Sequence, residues 1–234
     1  MPPMNEQGLE YGDSTLALVA EVLAEGVEHA VLLMRHSARE FEPGRHDLEN
    51  PLTDEGRDLA RRMGAKMDKR LCLRGYASPA ERCIETAALI LEGHRDGGGK
   101  ATRHRPIEAL GVFYVLDQMK MYKAMMAADG QLEFLERWYR GELAGDVMIP
   151  ADVAARLAAR VAAEKLRQPL GGPQLDVCVS HDMTLYLIRD QLLGERSAEL
   201  GDVRFLDALI MYTEGDTTIL RSHQGDATVV DLDV

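Results

Sequence analysis

The 234-residue chain holds only three cysteines, Cys72, Cys83 and Cys178, and no Cys-x-x-Cys pair. That leaves no spacing for a zinc ribbon or a disulfide framework, and a reducing cytoplasm is the expected compartment. No apolar run approaches the length that spans a bilayer. The opening MPPMNEQGLEYGDST has no basic residue, so no signal peptide is expected. Positive charge is scarce: 27 Lys and Arg face 39 Asp and Glu, for a net charge of −12. Such a surface repels nucleic acid and anionic membranes, and neither is expected as a partner. Against that background any cluster of arginines carries information.

What is present is an alternation of short apolar runs with helical patterns. Ser14-Thr15 is placed to cap a helix running to Ala24, with Leu16, Val19 and Leu23 on one face. His29 to Met34 then reads as a buried strand, followed by a loop from Glu40 to Leu52. Thr53 caps a helix predicted to reach Arg70, with Asp54 and Glu55 in its first turn, where the helix dipole favours negative charge. Leu71 to Ala77 is a second strand, and Ser78-Pro79 opens another helix. A third strand is expected within Arg103 to Leu110, and helix over Asp117 to Arg140 and Ala151 to Arg167. Gln174 to Ser180 is a strand, Met183 to Leu193 a helix, and Arg204 to Thr213 with Thr217 to Ser222 a closing hairpin. This alternation favours one three-layer α/β/α domain over residues 1–234 with a mainly parallel sheet. The stretch at about 111–150, rich in Met and aromatic residues, reads as a helical cap or insert rather than a separate domain.

Ligands of open α/β sheets sit at the carboxyl ends of the strands. Three polar clusters fall at such ends: Arg35, His36 and Arg39; Ser78 and Arg82; His181 and Asp182. Guanidinium forks match phosphoryl oxygens and stabilise the charge of a transferring phosphoryl group. A neutral imidazole can attack phosphorus, and a carboxylic acid can protonate the leaving oxygen. Adjacent cations keep the imidazole neutral.

The blocks RHSAR, LTDEGRDLARRMG, YASPAERCIETA and VSHDMTL, in this chain order, resemble the histidine phosphatase superfamily, which includes phosphoglycerate mutases and histidine acid phosphatases. The resemblance implies a phosphoglycerate mutase-like fold and a phosphatase that works through a phosphohistidine. It implies His36 as nucleophile, Arg35, Arg39 and Arg82 on the phosphoryl oxygens, and His181 as the second pocket histidine. Ser37 stands where the family usually has glycine and is expected to add a hydrogen bond to the phosphate. The His-Asp pair matches the acid phosphatase branch, which makes Asp182 the favoured proton donor. Glu108, in RPIEALG, matches the mid-chain glutamate of the mutase-type branch and is the alternative. The resemblance implies no metal and no organic cofactor.

Rival readings use the same residues. A mutase would return the phosphoryl group to a bound product, and a binding module would hold a phospho-ligand without turnover. A metal-dependent hydrolase built on His36, His46, His181 and Asp182 is disfavoured, because the arginines would repel the cation. The GGGKAT segment fails as a phosphate loop, since Ala101 stands where Ser or Thr must hold magnesium. His46-Asp47 reads as solvated loop, Met119, Met121, Met125 and Met126 as packing, and Phe113, Tyr114 and Tyr122 as structural aromatics. The substrate class stays broad: a phosphorylated small molecule or a phosphoprotein. The sequence assigns no oligomeric state.

Overall fold

The computed structural model describes residues 10–42 and 49–233. At its centre lies β1 (His29–Arg35), whose middle five residues are fully buried. Its neighbours are β4 (Gln174–Ser180), parallel to it, and β5 (Ala208–Glu214), antiparallel. Beyond β4 come β2 (Cys72–Ala77) and β3 (Lys100–Pro106), both parallel to it. Beyond β5 come β6 (Thr217–Ser222) and β7 (Thr228–Val230), each antiparallel to the strand before it. The order is β3-β2-β4-β1-β5-β6-β7, so β1 to β4 run together and β6 runs with them. Strands covered on both faces read as continuous apolar runs, which is why VLLM and LDVCVS stand out in the sequence.

Successive residues of a strand face opposite layers. Ala30, Leu32 and Met34 pack with α1 (Asp13–Ala24), α2 (Asp54–Lys66) and α3 (Glu81–Asp96). Val31 and Leu33 pack on the other side with α6 (Ala151–Ala163) and α7 (Asp182–Leu193). Two hydrophobic clusters on two faces make the three layers. Helices α2 and α3 meet backbone to backbone. A Cβ at Gly64 would lie 1.9 Å from the Ile90 carbonyl oxygen, and one at Gly93 equally close to that of Arg61.

Residues 111–150 hold α4 (Gln118–Met126) and α5 (Gln131–Tyr139), closed at the base by an isolated bridge between Val115 and Met148. Helix α5 anchors this segment by burying Phe134, Leu135 and Trp138. The Trp138 indole donates to the Ile149 carbonyl at 2.8 Å and its ring lies 5.2 Å from that of Tyr114. Each such side chain contributes about 1.5–3 kcal/mol by leaving water. Helix α4 buries no residue, and Met119, Tyr122 and Met126 are exposed, contrary to a packing role for them.

Other differences have local causes. Gly12, with φ of 92°, starts α1, and neither Ser14 nor Thr15 caps it. Both hydroxyls are buried and point across the fold, Ser14 to the Asp207 carboxylate at 2.9 Å and Thr15 to the Leu206 carbonyl at 2.7 Å. Helix α2 stops at Lys66, not Arg70, because Met67 turns extended and drops into the core. The predicted helix over Asp117 to Arg140 is broken at Gly130, whose φ of 93° no other residue adopts cheaply. Strand β3 starts earlier than expected and gives way to a short 3-10 turn, Glu108–Leu110. A short helix α8 (Ser197–Leu200) and β7 carry no strong periodicity in the sequence. Among the described residues, no helix is long and apolar enough to cross a membrane.

Candidate active site

The carboxyl ends of β1, β2 and β4 are tied to one another by backbone bonds. His36 N–H donates to the Ser180 carbonyl at 3.1 Å and Ser78 N–H to that of Val179 at 2.8 Å. Arg35 N–H donates to Asp207 of the segment entering β5 at 2.9 Å. The three polar clusters of the sequence therefore converge at one edge.

His36 is buried, and its Nδ1–H donates to the Ser37 carbonyl at 2.8 Å. Nε2 is then the unprotonated nitrogen, and Arg82 Nε donates to it at 3.0 Å. Burial first, and then the Arg82 guanidinium, hold the imidazole pKa well below its ordinary value. A backbone hydrogen bond to Ser37 works the other way, and His181 and Arg35 add to the depression. The ring is thus a neutral imidazole at neutral pH, with its Nε2 lone pair facing the Arg82 guanidinium.

Arg82 comes from the first turn of α3 and is itself buried. Its Nη2 lies 3.3 Å from His181 Nδ1. His181 is the residue before α7, and its Nε2 lies 2.9 Å from Ser78 Oγ. The two imidazole rings stand edge to face, 5.8 Å between centroids. Arg35 sits over the Phe205 ring at 4.2 Å, gives Nη1 to the Val203 carbonyl at 2.7 Å and pairs with Asp182 at 3.0 Å. Its Nε–H is buried with no partner. The other oxygen of Asp182 accepts the Met183 N–H at 2.7 Å.

Arg39 follows in the loop, where Nη1 donates to the Glu40 carbonyl at 3.0 Å and the guanidinium lies 5.8 Å from the Phe41 ring. The Ser37 hydroxyl donates to the Gly56 carbonyl at 2.7 Å, and Thr86 Oγ1 accepts the Ser37 N–H at 3.1 Å. Its groups thus clamp the loop to α2 and α3. A Cβ at Gly56 would lie 2.0 Å from the Ala38 carbonyl oxygen, so only glycine lets α2 approach this loop. Glu108 is exposed on the turn after β3, and that turn is joined to β2 by the Ile107 N–H bond to Ala77 at 2.8 Å. His46 and Asp47 lie outside the described residues.

Several side chains here gave no sequence signal. Phe205 and Asp207 come from a segment expected to be plain strand, in which Leu206 takes a φ of 63°, and Val203 just precedes it. Thr86 lies within α3, where a lone hydroxyl carries no local signal. Cys83 is buried 3.9 Å from His181 Nε2, and burial raises its thiol to about 12, so it is no nucleophile. All three cysteines are free. Among the described residues, no group of His, Cys, Asp or Glu could hold a metal ion.

Solved structures share the fold. YhfR of Bacillus stearothermophilus superposes with a TM-score of 0.56 at 16% identity, over 83% of this chain and 96% of its own. A phosphoserine phosphatase of Entamoeba histolytica, in complex with 3-phosphoglyceric acid, gives 0.56 at 15% identity, over 87% and 98%. A mycobacterial protein described as hydrolase 1 gives 0.54 at 14% identity, over 86% and 97%. Identities this low speak for the fold alone. No curated protein matches the sequence. The family model for the histidine phosphatase superfamily, branch 1, matches residues 31–230, which spans every element from β1 to β7. On that match the chain belongs to the histidine phosphatase superfamily.

Proposed function

We propose that the protein is a phosphatase that hydrolyses phosphate monoesters through a phosphohistidine on His36. The observation that carries this reading is the state of His36: buried, neutral, Nδ1–H held by Ser37, Nε2 turned to a guanidinium. A phosphoryl group entering the pocket takes Arg82 from the imidazole onto its own oxygens and leaves the Nε2 lone pair facing phosphorus. The partnerless Arg35 Nε–H offers a further donor. Arg39 completes the set of arginines in this proposal. Ser37 serves as a positioning residue, since its hydroxyl is engaged by Gly56.

The N–P bond forms as the ester P–O bond breaks, and the departing oxygen takes a proton. Both oxygens of Asp182 are engaged, by Arg35 and by the Met183 N–H. Glu108 carries an exposed carboxyl group on the adjoining turn, which favours it as donor and gives Asp182 the task of orienting Arg35. In the second half the Glu108 carboxylate takes a proton from water, whose oxygen attacks phosphorus and breaks the N–P bond. Inorganic phosphate then leaves. We also propose a cytoplasmic setting, in keeping with the free thiols.

Phosphate release from an aryl phosphate, with and without chelator, tests the reading in wild type beside His36→Ala. Chelator-resistant release that falls by about 10³-fold or more in the variant is expected. A variant that keeps most of the rate contradicts it.

A further inference from the structure

The proton positions of the resting site follow from one residue. Arg82 has only donors. It points Nε at His36 Nε2, 3.0 Å away, and Nη2 at His181 Nδ1, 3.3 Å away. Both facing nitrogens must therefore be lone pairs. For His36 the ring proton is on Nδ1, held by the Ser37 carbonyl. For His181 it is on Nε2, and the atom placed to accept it is Ser78 Oγ at 2.9 Å. Ser78 is buried, and its oxygen also lies 3.4 Å from the Ala80 N–H.

A phosphoryl oxygen in place of the guanidinium reverses the demand at His181. An unprotonated Nδ1 facing an anionic oxygen is repelled, whereas an Nδ1–H donates to it. Ser78 keeps the proton already on Nε2, so Nδ1 can become a donor only by gaining a second proton. Resting on the reading of this site as a phosphoryl pocket, we propose that Ser78 is a positioning residue that holds His181 as the Nε2–H form, so that phosphate binding takes up one proton on His181 Nδ1. The proton comes from solvent when the ligand is a dianion, or from the ligand itself when it is a monoanion: neutral His181 and monoanionic phosphate become imidazolium and dianionic phosphate. Among the described residues, the groups that face His181 include Arg82 and Cys83 of α3, Ser78 of the β2–α3 turn, His36 at the end of β1, and Asp182 beside it with its Arg35 partner. Cys83 stays a thiol, so it adds no charge.

The test is calorimetric titration with inorganic phosphate at about pH 8, repeated in buffers of different ionisation enthalpy, on the full chain. Wild type and His36→Ala are each expected to take up close to one proton per phosphate bound. Ser78→Ala is expected to bind phosphate about 10-fold more weakly, having lost a buried hydrogen bond, and to take up clearly less than one proton. A merely structural role for Ser78 changes affinity and leaves the proton count alone, and that result overturns the inference. Nitrogen-15 imidazole spectra of wild type give the same answer without a variant. His181 should be protonated at Nε2 alone when free and at both nitrogens with phosphate, and an unchanged His181 overturns the inference. Phosphate binding without proton uptake refutes this inference and leaves the phosphatase reading standing. A protein that neither binds phosphate nor forms phosphohistidine refutes both.

Discussion

Two charged clusters on this sheet are built in opposite ways. In one, the Asp176 carboxylate of β4 is fully buried and accepts from Arg74 Nε and Nη2, from His29 Nε2 at 2.8 Å and from Gln174 Nε2 at 2.9 Å. Every donor there meets the one carboxylate, so the charges are satisfied inside the protein. The other cluster, at the carboxyl ends of the strands, has imidazole lone pairs closed by a guanidinium and an Arg35 N–H that meets nothing. A network whose charges are met inside the protein is structure. The unmet Arg35 N–H, beside two imidazoles and a second guanidinium, is what the proposed phosphoryl pocket would use.

The comparison breaks most sharply at Asp176. Asp176→Ala strands Arg74 next to the core and should lower unfolding free energy by about 3–5 kcal/mol, read in denaturant melts. Folded enzyme should keep its rate. A large loss of kcat at unchanged stability would mean that the two clusters are not separate in role.

The next effect is in the proposed proton donor. Glu108→Gln should slow alkyl phosphates about 10²-fold more than activated aryl phosphates, because only poor leaving groups need the proton. Asp182→Asn should lower both alike, through Arg35. If the leaving-group dependence appears in Asp182→Asn instead, the two carboxyl groups exchange roles.

The smallest effect separates the clusters by pH. The His36 imidazole has its pKa depressed in the folded state, chiefly by burial and then by Arg82. Below about pH 6.5 the unfolded chain binds a proton there that the folded one does not. Stability from this group is therefore full above that pH and falls as pH drops, by about 1.4 kcal/mol per unit down to the folded pKa. His36→Gln should flatten that slope in melts of the ligand-free protein. A slope unchanged by the substitution would contradict the burial argument.

The same contrast explains what the sequence disclosed. Strands β1 and β4 were legible because burial on both faces writes an apolar run, and the pocket was legible because RHSAR, SPAERC and VSHD place cations where such runs stop. Asp176 and Arg74 sit inside strands and carry no local mark of each other, since their partnership spans 102 residues of chain. Ser14 and Thr15 were misread as caps for the same reason. A hydroxyl near a helix start suits a local bond, and here the partners are at Leu206 and Asp207. Ser37 likewise looked like a phosphate ligand until its neighbour Gly56 was in view. Local chemistry is readable from local sequence, whereas a long-range hydrogen bond is not.

The central claim is that His36 carries the phosphoryl group. Rapid quenching of wild type with phosphorus-32-labelled ester, followed by peptide mapping, measures it directly. The account predicts label on the peptide holding His36, stable to base, labile to acid and absent in His36→Ala. Turnover with label nowhere on the protein, or on another residue, would contradict it.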